Sequence, residues 1–249
     1  MKRPSAILKE SIEHFRSFSS IYLGYSAWIL VPTLGIVLLD LLPNSDIAQL
    51  VAFVLVITGT IAIVWVSVIL IHLAAKLGTE EEVNFQQIQT NSIKEIIPLL
   101  IVGFLQLLLY IGGVLLLIFP LFLFIVWYSF AQVSVVLDEK RGMQALAHSK
   151  QLVKGNYWYV ASGMIGVPAL LVLIFATLTG FVVLAIALGT GQNLNILFSL
   201  EQEPVWITAI NTIGQMFLIP ITSIFTTKFY LSFKQEREEQ SLEKPVEIG

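Results

Sequence analysis

The residues able to do chemistry in this chain are few, and they are scattered. Its imidazoles are His14, His72 and His148, and it has no cysteine. Disulfides, thiolate metal sites and cysteine nucleophiles are therefore excluded. A membrane zinc protease needs His-Glu-x-x-His, which sets two imidazoles on one helix face with a carboxylate beside them. No such run occurs, nor does Gly-x-Ser-x-Gly or a glycine-rich phosphate loop ending in lysine. The three histidines sit at unlike positions in their segments. They read as interfacial or capping residues and not as one metal centre. The remaining polar groups inside apolar stretches are amides: Gln106, Gln132, Asn211 and Gln215. Asn211 and Gln215 lie four apart and so share a helix face. Two readings stay open. The amides could line a path for a small neutral or lipidic solute, with Pro220 available to break the helix, or they could hydrogen-bond between helices at about 0.6 kcal/mol each. With no catalytic constellation, the expectation is a protein without enzymatic activity, cofactor or metal.

The elements that carry these residues follow from composition. Hydrophobic residues make up 56% of the chain and charged residues 12%, against roughly a quarter charged in a soluble domain. Mean hydropathy is +0.83. A spanning helix needs about 20 apolar residues, and six segments qualify: 21–42, 48–76, 96–118, 120–137, 157–189 and 204–230. The first block is too long for a signal-peptide core and no small-residue cleavage site follows it, so it reads as a retained span. Pro43-Asn44-Ser45-Asp46 separates spans one and two. Spans three and four are nearly continuous, and Gly112-Gly113 with Phe119-Pro120 supply the breakers between them.

Positive charge fixes the orientation. The cations fall at the amino terminus (Lys2, Arg3, Lys9, Arg16), after span two (Lys76, Lys94), after span four (Lys140, Arg141, Lys150, Lys154) and in the tail (Lys228, Lys234, Arg237, Lys244). Six spans put every one of them on a single face, which the positive-inside rule makes cytoplasmic, with both termini. Asp40, Asp46, Glu201 and Glu203 lie on the other face. Acids nearly balance cations on the cytoplasmic side, so no strongly basic patch points to nucleic acid. No charged residue is expected near the middle of a span, where it would mark an ion pathway.

Each cytoplasmic segment before an odd-numbered span carries apolar residues at helical spacing. These are Leu8, Ile12, Phe15, Phe18 and Tyr22; then Phe85, Ile88, Ser92, Ile93, Ile96 and Ile97; then Met143, Leu146, Ala147, Lys150, Val153 and Tyr157. The fold class that follows is an all-α integral membrane protein. Its six transmembrane helices form three repeats of amphipathic interfacial helix plus spanning hairpin, at about 5–76, 83–137 and 142–230 of a single 1–233 domain. Residues 234–249 read as a charged cytoplasmic tail.

In the stretch 119–158, Pro120 precedes span four, Asp138 and Glu139 close it, and Ala145, Ser149, Leu152, Val153 and Gly155 form an Ala-x-x-x-Ser-x-x-Leu-Val-x-Gly helix leading to Trp158. This pattern resembles the glycerophosphoryl diester phosphodiesterase membrane-domain family and its stand-alone YciC-like relatives in bacteria. The resemblance implies a six-span fold in the bacterial cytoplasmic (inner) membrane. It does not carry phosphodiesterase activity across, because only Phe233 to Gly249 follows the last span. Read from the residues alone, Gly142 and Gly155 bracket a short helix, and Tyr157, Trp158 and Tyr159 suit an interfacial belt. That helix, with Ser149, Lys150, Lys154 and Trp158, is either a docking surface for a lipid headgroup or protein, or an elbow joining two hairpins.

Span five would be about 50 Å long if straight, beyond a hydrocarbon core of about 30 Å. Pro168 is placed to bend it. Ala176 and Gly180, then Ala185 and Gly189, set small residues four apart, fitting bundle packing or a homo-oligomer seam. Ile196, Leu197, Phe198 and Leu200 suggest a short amphipathic helix on the outer leaflet. The functional expectation is a non-catalytic membrane protein that organises or regulates membrane components through lipids or a protein partner. The alternative is a transporter or channel.

Overall fold

The computed structural model describes residues 2–40, 45–79, 83–116, 119–190 and 205–243, which contain helices and no strands. Pro4, its φ already set for a helix, opens α1 (Pro4–Ser17). A break at Phe18 leads to α2 (Ser19–Ser26), and a short 3-10 turn joins that to α3 (Leu30–Asp40). Ser45 caps α4 (Asp46–Lys76) by accepting the amide of Ala48 at 3.2 Å, and Asn84 caps α5 (Phe85–Leu115) through Gln87 at 3.0 Å. Then come α6 (Phe119–Trp127), α7 (Ala131–Leu137), α8 (Gly142–Val153) and α9 (Tyr157–Ala161). A π-helical turn, Ser162–Gly166, leads to α10 (Val167–Gly189), and α11 runs from Val205 to Glu243. The π turn lies just ahead of Pro168, whose ring disrupts the preceding helical bonds. The irregularity in span five falls there.

Among the described residues six helices are long and apolar enough to cross a membrane: 19–36, 46–76, 85–115, 120–137, 157–189 and 206–237. They pair as hairpins, α3 with α4, α5 with α6 and α10 with α11. At Gly113 a Cβ would come 2.8 Å from the Cα of Leu121, so glycine permits the close approach of α5 and α6. The hairpins meet at the charged end in two neighbouring apolar clusters. There α4 buries Val66 and Val68 to Ala74, α11 buries Ile224, Phe225, Phe229, Tyr230 and Phe233, and α1, α7 and α8 pack around them. Phe225, Phe229 and Phe233 stack at successive turns of α11, and the ring of Tyr159 lies against the last two at 5.4 and 5.8 Å. Gly163 is part of this arrangement, because a Cβ there would fall 2.5 Å from the ring of Phe229. Away from the core the hairpins present apolar side chains outward, among them Phe53, Phe104, Leu173 and Phe181.

Several expectations change in detail. The second amphipathic segment is not a separate helix; it continues without interruption into α5, because nothing between Phe85 and Ile97 breaks it. The apolar stripes mark the buried face only in part. Ile12, Ile93, Ile97 and Met143 point outward, whereas Ser11, Ser92 and Glu95 point inward. Ala176, Gly180, Ala185 and Gly189 are all exposed, so they do not pack within the bundle. Residues 234–243 extend α11 and are not separate from it. The expected outer helix around Ile196–Leu200 lies outside the described residues.

Candidate functional site

Span four is broken between α6 and α7, at Tyr128–Ser129–Phe130. A break strands backbone groups that a helix would otherwise satisfy, and in an apolar setting each must find a partner. Ser149, fully buried on α8, supplies two of them. Its hydroxyl donates to the carbonyl of Trp127 at 2.7 Å and accepts the amide of Phe130 at 3.1 Å. Gln106 on α5 donates to the carbonyl of Tyr128 at 2.7 Å, and its own oxygen accepts from Gln132 at 3.1 Å. The structure thus brings Gln106 and Gln132 together. Asn211 is half-buried and Gln215 exposed on α11, and neither joins that network.

Below the break, the carbonyl of Ser134 closes the end of α7. It accepts the amides of Asp138 and Lys140 at 3.2 and 3.1 Å, and Glu139 takes a left-handed φ of 54°. This turn aims Asp138 at α8 and α11. Its carboxylate accepts from Lys234 Nζ at 2.7 Å and from the hydroxyl of Tyr230, and His148 Nε2 stands 3.3 Å away. Burial alone would raise the pKa of Asp138. The hydrogen bonds from Lys234 and Tyr230, with the charges of Lys234 and His148, outweigh it and hold the carboxyl below its ordinary value. One turn on, Arg237 Nη2 donates to the carbonyl of Leu152 at 3.0 Å and to that of Lys154, capping the end of α8 where Gly155 turns at φ 88°. Lys234 and Arg237 are therefore bonded members of the core.

A titratable pair is buried between α4 and α5. His72 Nε2 and Glu95 Oε2 lie 3.0 Å apart, each residue only 9% exposed. His72 is thus buried between helices, one turn before the end of α4, and Glu95 sits ten residues inside α5. Buried polar groups need partners, and these two supply one another. His14 on α1 makes a different contact, its Nε2 3.1 Å from the hydroxyl of Tyr22. Burial, with help from Lys228, pushes its pKa from 6.5 down to about 4. Among the described residues no three His, Asp or Glu side chains converge to hold a metal.

The expected docking residues divide between two faces of α8. Ala145, Leu146, Ser149 and Val153 face the core. Lys150 and Lys154 face out, and with Trp127, Ala147 and Gln151 they line an open groove of about 510 Å³. Lys150 Nζ stands 4.5 Å over the Trp127 ring. Trp158, at the start of α9, is 81% exposed and set edge-on to Tyr157, whose hydroxyl donates to the carbonyl of Phe122 at 3.0 Å.

Residues 83–200 match a protein family described only as a domain of unknown function (DUF8558). The matched stretch includes α5 to α10, and with them the broken span, Asp138 and the Ser149 helix. No curated protein matches the chain, and no solved structure does.

Proposed function

We propose that this chain is a multi-pass protein of the bacterial cytoplasmic membrane. Its charged end and both termini face the cytoplasm, and it organises or regulates membrane components by binding a lipid or protein partner. Insertion is supported by the apolar side chains on the outward faces of six long helices, far more than a soluble surface leaves uncovered. Orientation is supported by the cations, which the six-span order gathers at one end. The likeness of residues 119–158 to the phosphodiesterase membrane domains agrees with both.

The binding role rests on one observation. Asp138, Ser149 and Arg237 are spent joining α6, α7, α8 and α11 into one body, while Lys150, Lys154 and Trp158 of the same region are turned outward beside an open groove. A rigid base with an unspent polar face suits a platform that receives a partner. Extraction in native nanodiscs followed by mass spectrometry tests it. A stoichiometric protein or an enriched lipid is the expected result, and bulk membrane composition with no partner refutes it. Single cysteines test the orientation, since Asn193→Cys should react with an impermeant reagent from outside and Lys154→Cys should not.

A transport role is the second reading, favoured by the broken span four and by the buried His72–Glu95 pair. Broken helices and interior charges are where transporters bind their cargo. Proteoliposome uptake lost in His72→Gln, in a variant that still folds, would favour this reading over the platform.

A further inference from the structure

We propose that the groove beside α8 is a binding site for the headgroup phosphate of an anionic phospholipid. The proposal deepens the lipid-binding reading above and rests on it. Lys150, on the exposed face of α8, and Lys154, the residue that closes that helix, lie four residues apart and line the same groove, so their ammonium groups can bracket a single phosphate. Among the described residues neither has a carboxylate within ion-pair distance, although Lys2, Lys9 and Lys234 at the same end are all paired. The floor is apolar, made by Trp127 and Ala147, and Gln151 adds a neutral donor at the rim. Such a lining suits an amphiphile, with phosphate at the lysines and glycerol or upper acyl chain against the indole. A free inorganic phosphate would leave that floor unused.

The position of the indole is itself determined. Trp127 is the last residue of α6, and its carbonyl is held by Ser149 from α8, the helix that carries Lys150 and ends at Lys154. The bond that repairs the broken span therefore fixes the groove's floor against its cationic wall. The cation–π contact keeps Lys150 over the ring without neutralising it, so its charge remains available to an anion.

Native mass spectrometry of protein released from nanodiscs of equal phosphatidylglycerol and phosphatidylcholine reads the preference directly. A basic side chain near an anionic membrane surface is worth about fivefold in affinity, so Lys150→Gln and Lys154→Gln should each weaken phosphatidylglycerol retention about fivefold, and together about 25-fold. Lys150→Arg should retain binding. Ala147→Phe, which fills the groove and keeps both lysines, should also abolish the preference. The comparison is Lys9→Gln, an exposed cation on α1. Equal losses in Lys9→Gln and Lys150→Gln, or full retention in Ala147→Phe, would mean diffuse surface charge and overturn the site. A wild-type protein that inserts with the expected topology yet shows no preference sinks the groove alone. Failure to insert sinks the membrane reading with it.

Discussion

Replacing Ser149 by alanine isolates the bond that holds the broken span. The side chain is fully buried, and its hydroxyl serves a carbonyl and an amide on either side of the break, at 2.7 and 3.1 Å. Alanine removes one oxygen and leaves two buried backbone groups without that partner. Each unsatisfied group costs about 1–3 kcal/mol, and relaxation of the turn recovers some of the loss. The expected destabilisation is therefore about 2–4 kcal/mol, large for the loss of a single oxygen. Steric-trap or denaturant titration in a fixed detergent measures it. Ser67→Ala is the control, since that hydroxyl bonds only the carbonyl of Ile63 one turn back in its own helix, and it should shift stability by less than about 0.5 kcal/mol. A Ser149→Ala effect no larger than the control would refute the argument that α8 repairs span four. Hydrogen exchange adds a local check, because protection at Phe130 should fall before protection in α4.

Three further outcomes follow from the core. Gly163→Ala drives a methyl into the ring of Phe229, so it should cost about 1–3 kcal/mol and loosen α9 from α11, read as altered Tyr and Trp fluorescence. Asp138→Asn removes the carboxylate that Lys234 and Tyr230 hold. Because that carboxyl titrates below its ordinary range, its contribution is present above the ordinary carboxylate pKa and is lost as pH falls through the lower, folded value. Wild type should weaken in that acid window, and the variant should lose this part of the slope. His14 titrates near 4 in the fold against 6.5 unfolded, so only the unfolded chain takes up a proton between those values. Stability should fall as pH drops from 6.5 toward 4, and His14→Gln should flatten that fall in a pH series of unfolding curves.

Helix positions were legible because hydropathy and the segregation of cations report them directly. The glycines at both ends of α8 marked its turns, and the structure gives them φ of 47° and 88°. Faces were harder to read. A stripe rule assumes that apolar means inward, yet among α-helices surrounded by lipid an isoleucine is equally at ease outside. Ile93 and Ile97 face out while Glu95 faces in, because His72 is there to meet it. The break in span four carries no glycine or proline, since residues 121–137 contain neither. Its trace lay elsewhere, in Ser149 on the buried face of α8 and in Gln106 within the apolar run of α5. Asp138 and Tyr230 are 92 residues apart, a separation that no local pattern spans. Lys234 and Arg237 looked like part of a solvated tail because their partners come from other helices.

The stack of Phe225, Phe229 and Phe233 has a consequence for assembly. It lies on α11, the last helix described, and it fills the centre against which α1, α4, α7 and α10 rest. During synthesis the earlier hairpins are made before that wedge exists. Until α11 arrives, Asp138 lacks Lys234 and Tyr230, and the end of α8 lacks Arg237. The nascent chain carries an open socket at its charged end, which closes only when the final helix arrives. A chain stopped before Val205 would keep that socket open.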